Sequence, residues 1–228
     1  DAVKDHDIVI HLAAKISVSE SITNPSETFL VNVDGTRNVL VACEKNHVKK
    51  LIVASSAAVY GEGYLNVKLT EESETNPISP YGESKVKMEQ EIREFASKHD
   101  VNCIILRFFN IYGVGQSDEY AGVITKFGRK ILRGKPLEIF GDGKQTRDFV
   151  AIEDVVEVIH QAISYGKSGT YNIASGKTIT IKELAEKMIL LSEAKLDIQY
   201  TDRKKGDIKY SQADISLAKK ELLYSPRF

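Results

Sequence analysis

Apolar positions along the chain follow two alternating rhythms. "DIVIHLA" (7–13), "KLIVASS" (50–56) and "VNCIILRFF" (101–109) are short, β-branched apolar runs. Such runs are expected of strands buried on both faces. Segments of helical period lie between them. Asn24-Pro25 opens the first, with Asn24 as a candidate cap and Pro25 at the first helical position. Phe29, Val33, Leu40 and Val41 then recur at roughly helical spacing. A second helix is predicted from near Pro80 to about Lys98. Strands alternating with helices argue for an α/β fold with a parallel sheet and right-handed crossovers. After about residue 113 the segments shorten, with turn signals at "RGKP" and "FGDGKQ". "IEDVVEVIHQAI" (152–163) and "IKELAEKMILL" (181–191) read as amphipathic helices, and "GTYNIAS" (169–175) as a strand between them. This half predicts a smaller, mixed region packed on the larger sheet.

Composition narrows the classes without choosing one. With 228 residues, 42% of them hydrophobic, the chain can bury a sizeable core. Net charge is −1, and acids and bases are mixed along the chain, which argues against a nucleic-acid groove or a membrane surface. The longest apolar runs, such as "DIVIHLAA" and "LIVASSAAV", are far too short to span a bilayer. No stretch reads as a secretory leader, so a cytoplasmic, soluble protein is the default expectation. Cys43 and Cys103 sit in apolar surroundings ("LVACE", "VNCIIL") and are expected to be buried free thiols. Internal repeats and metal-ligating clusters are not evident.

Candidate chemistry begins with "SPYGESK" (79–85), where Tyr81 and Lys85 stand four positions apart. On a helix these share one face, so the ammonium can sit beside the phenol. A free tyrosine has a pKa near 10, and a neighbouring cation favours the phenolate, making it a usable base. Spacing alone leaves an ordinary solvated helix face as an open alternative. Context changes the balance. "SSAAVYG" (55–61) follows an apolar strand and places Ser56 25 residues before Tyr81. "HLAA" (11–14) ends an earlier strand with two small residues, which would let a cofactor lie against the backbone, and "RFFNIYG" (107–113) follows the next strand. All are at strand ends, where open α/β sheets place their ligands. A sheet of this kind should open with a strand, a glycine-rich turn and a helix. No such turn occurs here, so the chain is expected to be a fragment lacking its first sub-domain.

With these motifs in hand, the chain resembles the extended short-chain dehydrogenases/reductases, specifically the NAD-dependent nucleotide-sugar epimerase/dehydratase group, and within it most closely the UDP-hexose 4-epimerases. The resemblance runs from "HLAA" to "ADISLAKKELLY". It implies a Rossmann-type doubly wound parallel sheet, without its N-terminal strands, over residues 1–113. A mainly nucleotide-sugar-binding region would occupy 114–228, with a return strand to the sheet near 139–165. It also implies roles. Tyr81 would take the proton from the sugar 4-hydroxyl. Lys85 would lower the Tyr81 pKa and bind the nicotinamide ribose, and Ser56 would hydrogen-bond the same sugar oxygen. Ala13, Ala14 and Asn32 would line the NAD site, and Asn110 would hold the substrate diphosphate. Arg147 would pair with that diphosphate, for which its planar fork is suited. Phe140 would stack near the uracil, and Asp207 would hydrogen-bond the nucleotide ribose. The family usually has arginine two residues before the glycine of "KGD"; here Lys204 stands there, with Arg203 before it, and either could reach the phosphates.

Within that group, 4,6-dehydratases carry an Asp-Glu pair just before "VYG" and the related decarboxylases a Glu. This chain has Ala57-Ala58. Without a carboxylate for elimination, oxidation at C4 followed by re-reduction is the expected reaction. Four residues after Asp207 stands Ser211. A small residue there would admit an N-acetyl group where a tyrosine would not. The resemblance also implies a homodimer formed through helices at about 25–46 and 81–98. Another nucleotide-sugar oxidoreductase, or a non-catalytic NAD- or nucleotide-sugar-binding protein on the same scaffold, are the alternative expectations.

Overall fold

The structure is a computed structural model that describes residues 2–116, 121–203 and 206–228. Its strands are β1 (Ile8–His11), β2 (Lys50–Ser56), β3 (Asn102–Phe108), β4 (Asn110–Tyr112), β5 (Leu137–Phe140), β6 (Thr146–Ala151), β7 (Gly169–Ile173), β8 (Thr178–Thr180) and β9 (Ile198–Thr201). Its α-helices are α1 (Val18–Thr23), α2 (Pro25–Phe29), α3 (Gly35–Lys45), α4 (Pro80–Lys98), α5 (Val123–Leu132), α6 (Ile152–Ser164), α7 (Ile181–Leu191) and α8 (Ser216–Leu222).

Four strands form the main sheet in the order β1-β2-β3-β7, parallel throughout. Alternation along β2 and β3 divides their side chains between two cores. Leu51, Val53, Cys103 and Ile105 pack with Leu40, Met88, Ile92 and Phe95 from α3 and α4. Ile52, Ile104 and Leu106 pack on the other face with Val155 and Val158 of α6 and Leu222 of α8. Both cysteines are free and buried, and burial raises both thiol pKa values, that of Cys103 to about 12. Among the described residues no helix is long and apolar enough to cross a membrane.

Local signals set the helix starts. Asn24 caps α2 by accepting from the Glu27 amide, and Pro25 takes the first turn. Ser79 caps α4 by accepting from the Gly82 amide, again with Pro80 in the first turn. The helix expected to run on from Pro25 is interrupted: Leu30–Asp34 winds as a π-helical turn between α2 and α3. Such wide turns are rare and tend to occur at functional sites.

The strand that rejoins the main sheet is β7, beyond the 139–165 stretch expected to hold it. Within that stretch, β6 pairs in parallel with β4 and antiparallel with β8, outside the main sheet. The chain then returns through α6, whose apolar stripe covers the sheet before β7 docks beside β3. The smaller region is built from the β4-β6-β8 sheet, the β5-β9 pair, α5 and α7. Phe127, Leu137, Ile139, Ile181, Leu184 and Ala185 form its core.

Candidate active site

Tyr81 sits in the first turn of α4, 8% exposed. Its amide donates to Ser21 Oγ of α1 at 3.1 Å. Gly82 lets this turn approach the Ala57–Val59 turn that follows β2: a Cβ there would lie 2.6 Å from the Ala58 carbonyl oxygen. That approach brings the phenol near Ser56, which acts to lower its pKa. Ser56 Oγ already accepts from the Ala58 amide at 3.2 Å, so its own proton is left to donate. Burial pushes the Tyr81 phenol above its ordinary value, and Ser56 opposes this. One turn along α4, Lys85 Nζ lies 6.0 Å from the Tyr81 ring centroid. Lys85 is 2% exposed and donates to the Ala54 carbonyl at 2.8 Å. Burial lowers its pKa to about 8, against the attraction of Glu89.

On the β1 side, Ala13 is exposed and Ala14 half-buried in the loop after the strand. Asn32 reaches that loop from the π-helical turn. Its Oδ1 accepts from the Lys15 amide at 2.8 Å, and its Nδ2 donates to the Lys15 carbonyl at 2.9 Å and to Ser84 Oγ at 2.9 Å. The buried Asn32 therefore shapes the 13–15 loop and ties it to α4. His11, at the end of β1, contacts Thr36 Oγ1 through Nε2 at 3.0 Å. Thr36 spends its own proton on the Asn32 carbonyl at 2.7 Å, so His11 carries its hydrogen on Nε2. Burial, and then the Lys85 charge, hold the imidazole below its usual pKa.

Most of the substrate-side candidates gather around the ends of β5 and β6. Phe140, Arg203 and Asp207 line one cavity of about 130 Å³ with Gln145 and Lys209. Arg147, 8% exposed, pairs with Asp207 and donates to the Thr146 carbonyl at 2.8 Å. Burial lowers the Arg147 pKa, against the attraction of Asp207. Arg203 donates to the Asp207 carbonyl at 2.6 Å and lies 3.6 Å from Glu62. Lys204 lies outside the described residues. Asn110 is half-buried at the start of β4 and donates to the Asp148 carbonyl at 3.1 Å. Ser211 is 1% exposed and lines neither this cavity nor the apolar one beside Tyr112 and Phe228. The structure thus brings Ser56, Tyr81 and Lys85 together, and separately Phe140, Arg147, Arg203 and Asp207. Glu62 joins the two stretches, accepting from the Lys209 amide at 2.6 Å and the Tyr210 amide at 3.0 Å. It follows "VYG" as an ordinary surface glutamate, and nothing in its local pattern marks that role.

A sequence model of the NAD dependent epimerase/dehydratase family matches residues 1–174. The chain belongs to this family. A putative UDP-glucose 4-epimerase of Methanocaldococcus jannaschii is 42% identical over 184 residues, covering 79% of this chain and 59% of that protein. A solved UDP-N-acetylglucosamine 4-epimerase from Methanobrevibacter ruminantium M1, in complex with UDP-N-acetylmuramic acid, superposes with a TM-score of 0.95 at 36% identity, covering 99% of this chain and 73% of that one. A UDP-glucuronic acid 4-epimerase from Bacillus cereus, in complex with UDP-glucuronic acid and NAD, superposes at 0.93 with 30% identity, covering 100% of this chain and 72% of that one. The chain therefore spans about three fifths to three quarters of these relatives.

The family is NAD-dependent, and the residues here fit such a cofactor. Lys85 has three N–H donors. Among the described residues its partners are one carbonyl and a long 3.9 Å contact to Met88 Sδ. A ribose diol offers the acceptors that a buried ammonium needs. Ala13 is exposed in the loop after β1, so its small side chain leaves the loop backbone open to close approach.

Proposed function

We propose that the protein is a NAD-dependent UDP-hexose 4-epimerase acting through a transient 4-keto sugar. The observation that carries this reading is the buried Tyr81, brought up to the turn after Ser56 by the close approach at Gly82, with Lys85 on the next turn of the same helix. Tyr81 takes the proton of the 4-hydroxyl as C4 is oxidised, and gives it back on re-reduction. Ser56 donates to the same oxygen, and its amide contact from Ala58 fixes the direction of that donation. Lys85 holds positive charge beside the phenol and anchors the nicotinamide ribose. Bound NAD would supply the hydride acceptor. Ala57 and Ala58 bring no carboxylate to this corner to drive elimination of water. On the nucleotide side, Phe140 would stack on the base, Asp207 would hold its ribose and Asn110 would meet the diphosphate. The diphosphate would compete with Asp207 for the Arg147 guanidinium.

The full-length protein, incubated separately with UDP-glucose, UDP-N-acetylglucosamine and UDP-glucuronic acid, tests this by proton NMR of the anomeric signals. Growth of the galacto epimer from at least one sugar is the expected result. Stoichiometric oxidation of added NADH without epimer would move the protein to the reductase reading. NAD binding with no turnover of any of the three would move it to a binding role.

The small side chain of Ser211 and the 36% identical UDP-N-acetylglucosamine 4-epimerase together favour acceptance of N-acetylated sugar as well. Ser211→Tyr is expected to lower turnover of UDP-N-acetylglucosamine relative to UDP-glucose by roughly 10- to 200-fold, the range for steric discrimination in a pocket. The ratio of the two rates is the measurement, so partial loss of folded protein cancels. An unchanged ratio would remove Ser211 from the specificity argument.

A further inference from the structure

The main sheet contains a buried charge cluster that proton transfer at Tyr81 does not use. Tyr81, Lys85 and Glu89 recur every four residues along α4, on its buried side, with exposures of 8%, 2% and 0%. The Glu89 carboxylate collects donors from Ser55 Oγ at 2.6 Å, Arg107 Nε at 2.9 Å, Arg107 Nη2 at 2.7 Å and Arg93 Nη1 at 3.0 Å. Arg107, 3% exposed, also donates to Tyr60 Oη at 2.8 Å and to the Glu71 carbonyl at 3.2 Å. Tyr60 in turn donates to Asn172 Oδ1 at 2.6 Å. Ser55 and Arg107 are direct partners in the β2–β3 register, which places both under α4.

A buried ion pair of this kind is a poor route to stability, since apolar residues of similar volume often do as well or better. Its position suggests another use. Ser55 is the neighbour of Ser56, Tyr60 closes the "SSAAVY" turn, and Glu89 is one turn from Lys85. The titratable and charged groups around Lys85 are Tyr81 and Glu89 on α4 and His11 on β1, with Arg107 on β3 and Arg93 on α4 both turned onto Glu89. His11 is held neutral and Tyr81 is protonated in the resting chain. Glu89 is the negative charge of this set.

We propose that Glu89, clamped by Arg107, is a positioning residue of the candidate site: it is the counter-charge of Lys85 and fixes the α4 turn against Ser56. This deepens the reading given under Proposed function and rests on it for its purpose, but not for its test. In full-length protein grown with 13C-labelled lysine, the Lys85 Cε signal, assigned by its loss in Lys85→Met, reports the ammonium directly. Glu89→Gln is expected to move that titration toward lower pH by about one unit or more, the scale of a nearby charge. Because Glu89→Gln leaves Arg107 buried without its partner and can fail to fold, Glu89→Gln/Arg107→Met, which removes both charges, is measured beside it. A shift to lower pH in either folded variant supports the proposal. A Lys85 titration unchanged in the folded variants, with only a lower melting temperature, overturns it and leaves Glu89 a structural group. Absence of sugar conversion by the wild-type protein would sink the epimerase reading without touching this outcome.

Discussion

Tyr81→Phe is expected to leave the fold intact and to reduce epimerisation by about 100- to 10,000-fold, the range for loss of a positioned acid–base group. The substitution removes one oxygen from a buried ring whose backbone is held independently, by the Ser21 hydroxyl and by the cap of Ser79 on α4. Ser56 keeps its contact with the Ala58 amide and stays where it is. Binding of the sugar nucleotide, followed by calorimetry, should therefore change little while the NMR rate collapses. The phenol of the wild-type chain is pushed up by burial, so turnover at low pH should rise as pH rises. Lys85 loses its proton near pH 8 in the resting chain, which sets the region where the rise should stop. A Phe variant that keeps more than about a tenth of the wild-type rate, far above the range just given, would show that another group carries the proton.

Arg107→Met is the second large effect, and it falls on stability. The variant leaves Glu89, 0% exposed, without its two-pronged partner, and breaking a buried pair in this way costs about 3–5 kcal/mol. The pH dependence separates this from simple loss of packing. In the wild type Glu89 is held below its ordinary pKa by Arg107, Ser55 and Arg93, in spite of burial. Its contribution is therefore present above the unfolded value of about 4.3 and is lost as pH falls through the folded one. Without Arg107 burial dominates and the folded pKa rises above the unfolded one. The variant should then recover part of its deficit as pH is lowered from 7 toward 5. Urea midpoints of both proteins at the two pH values measure this. A deficit that is the same at both would show that Glu89 does not carry the cost.

β2 and β3, buried on both faces, were legible because continuous β-branched runs have few other uses, whereas β1 is a strand whose Ile10 is 40% exposed; the helix starts were legible because Asn24-Pro25 and Ser79-Pro80 are local devices. That Tyr81 and Lys85 would share one face of a helix was legible from their spacing. The π-helical turn was not, since apolar spacing over "LVNVD" suits a regular helix equally well. Nor was the return through β7: a return strand was expected near 139–165, where β6 lies, and only pairing tells that β7 and not β6 joins the sheet. Arg107 did carry a signal: a charge inside the run "NCIILRF" demands a buried partner. The partner itself, Glu89, is 18 residues away on another element, a separation no local period reveals.

The chain does not pass once between its two regions. It leaves the main sheet at β4, returns after β6, leaves again at β8 and comes back before α8. Three of these passages, β4, β6 and β8, lie side by side as one hydrogen-bonded ribbon. The joint is thus a small sheet and not a flexible linker. A single proteolytic cut in one of these three strands would leave the other two connecting the regions.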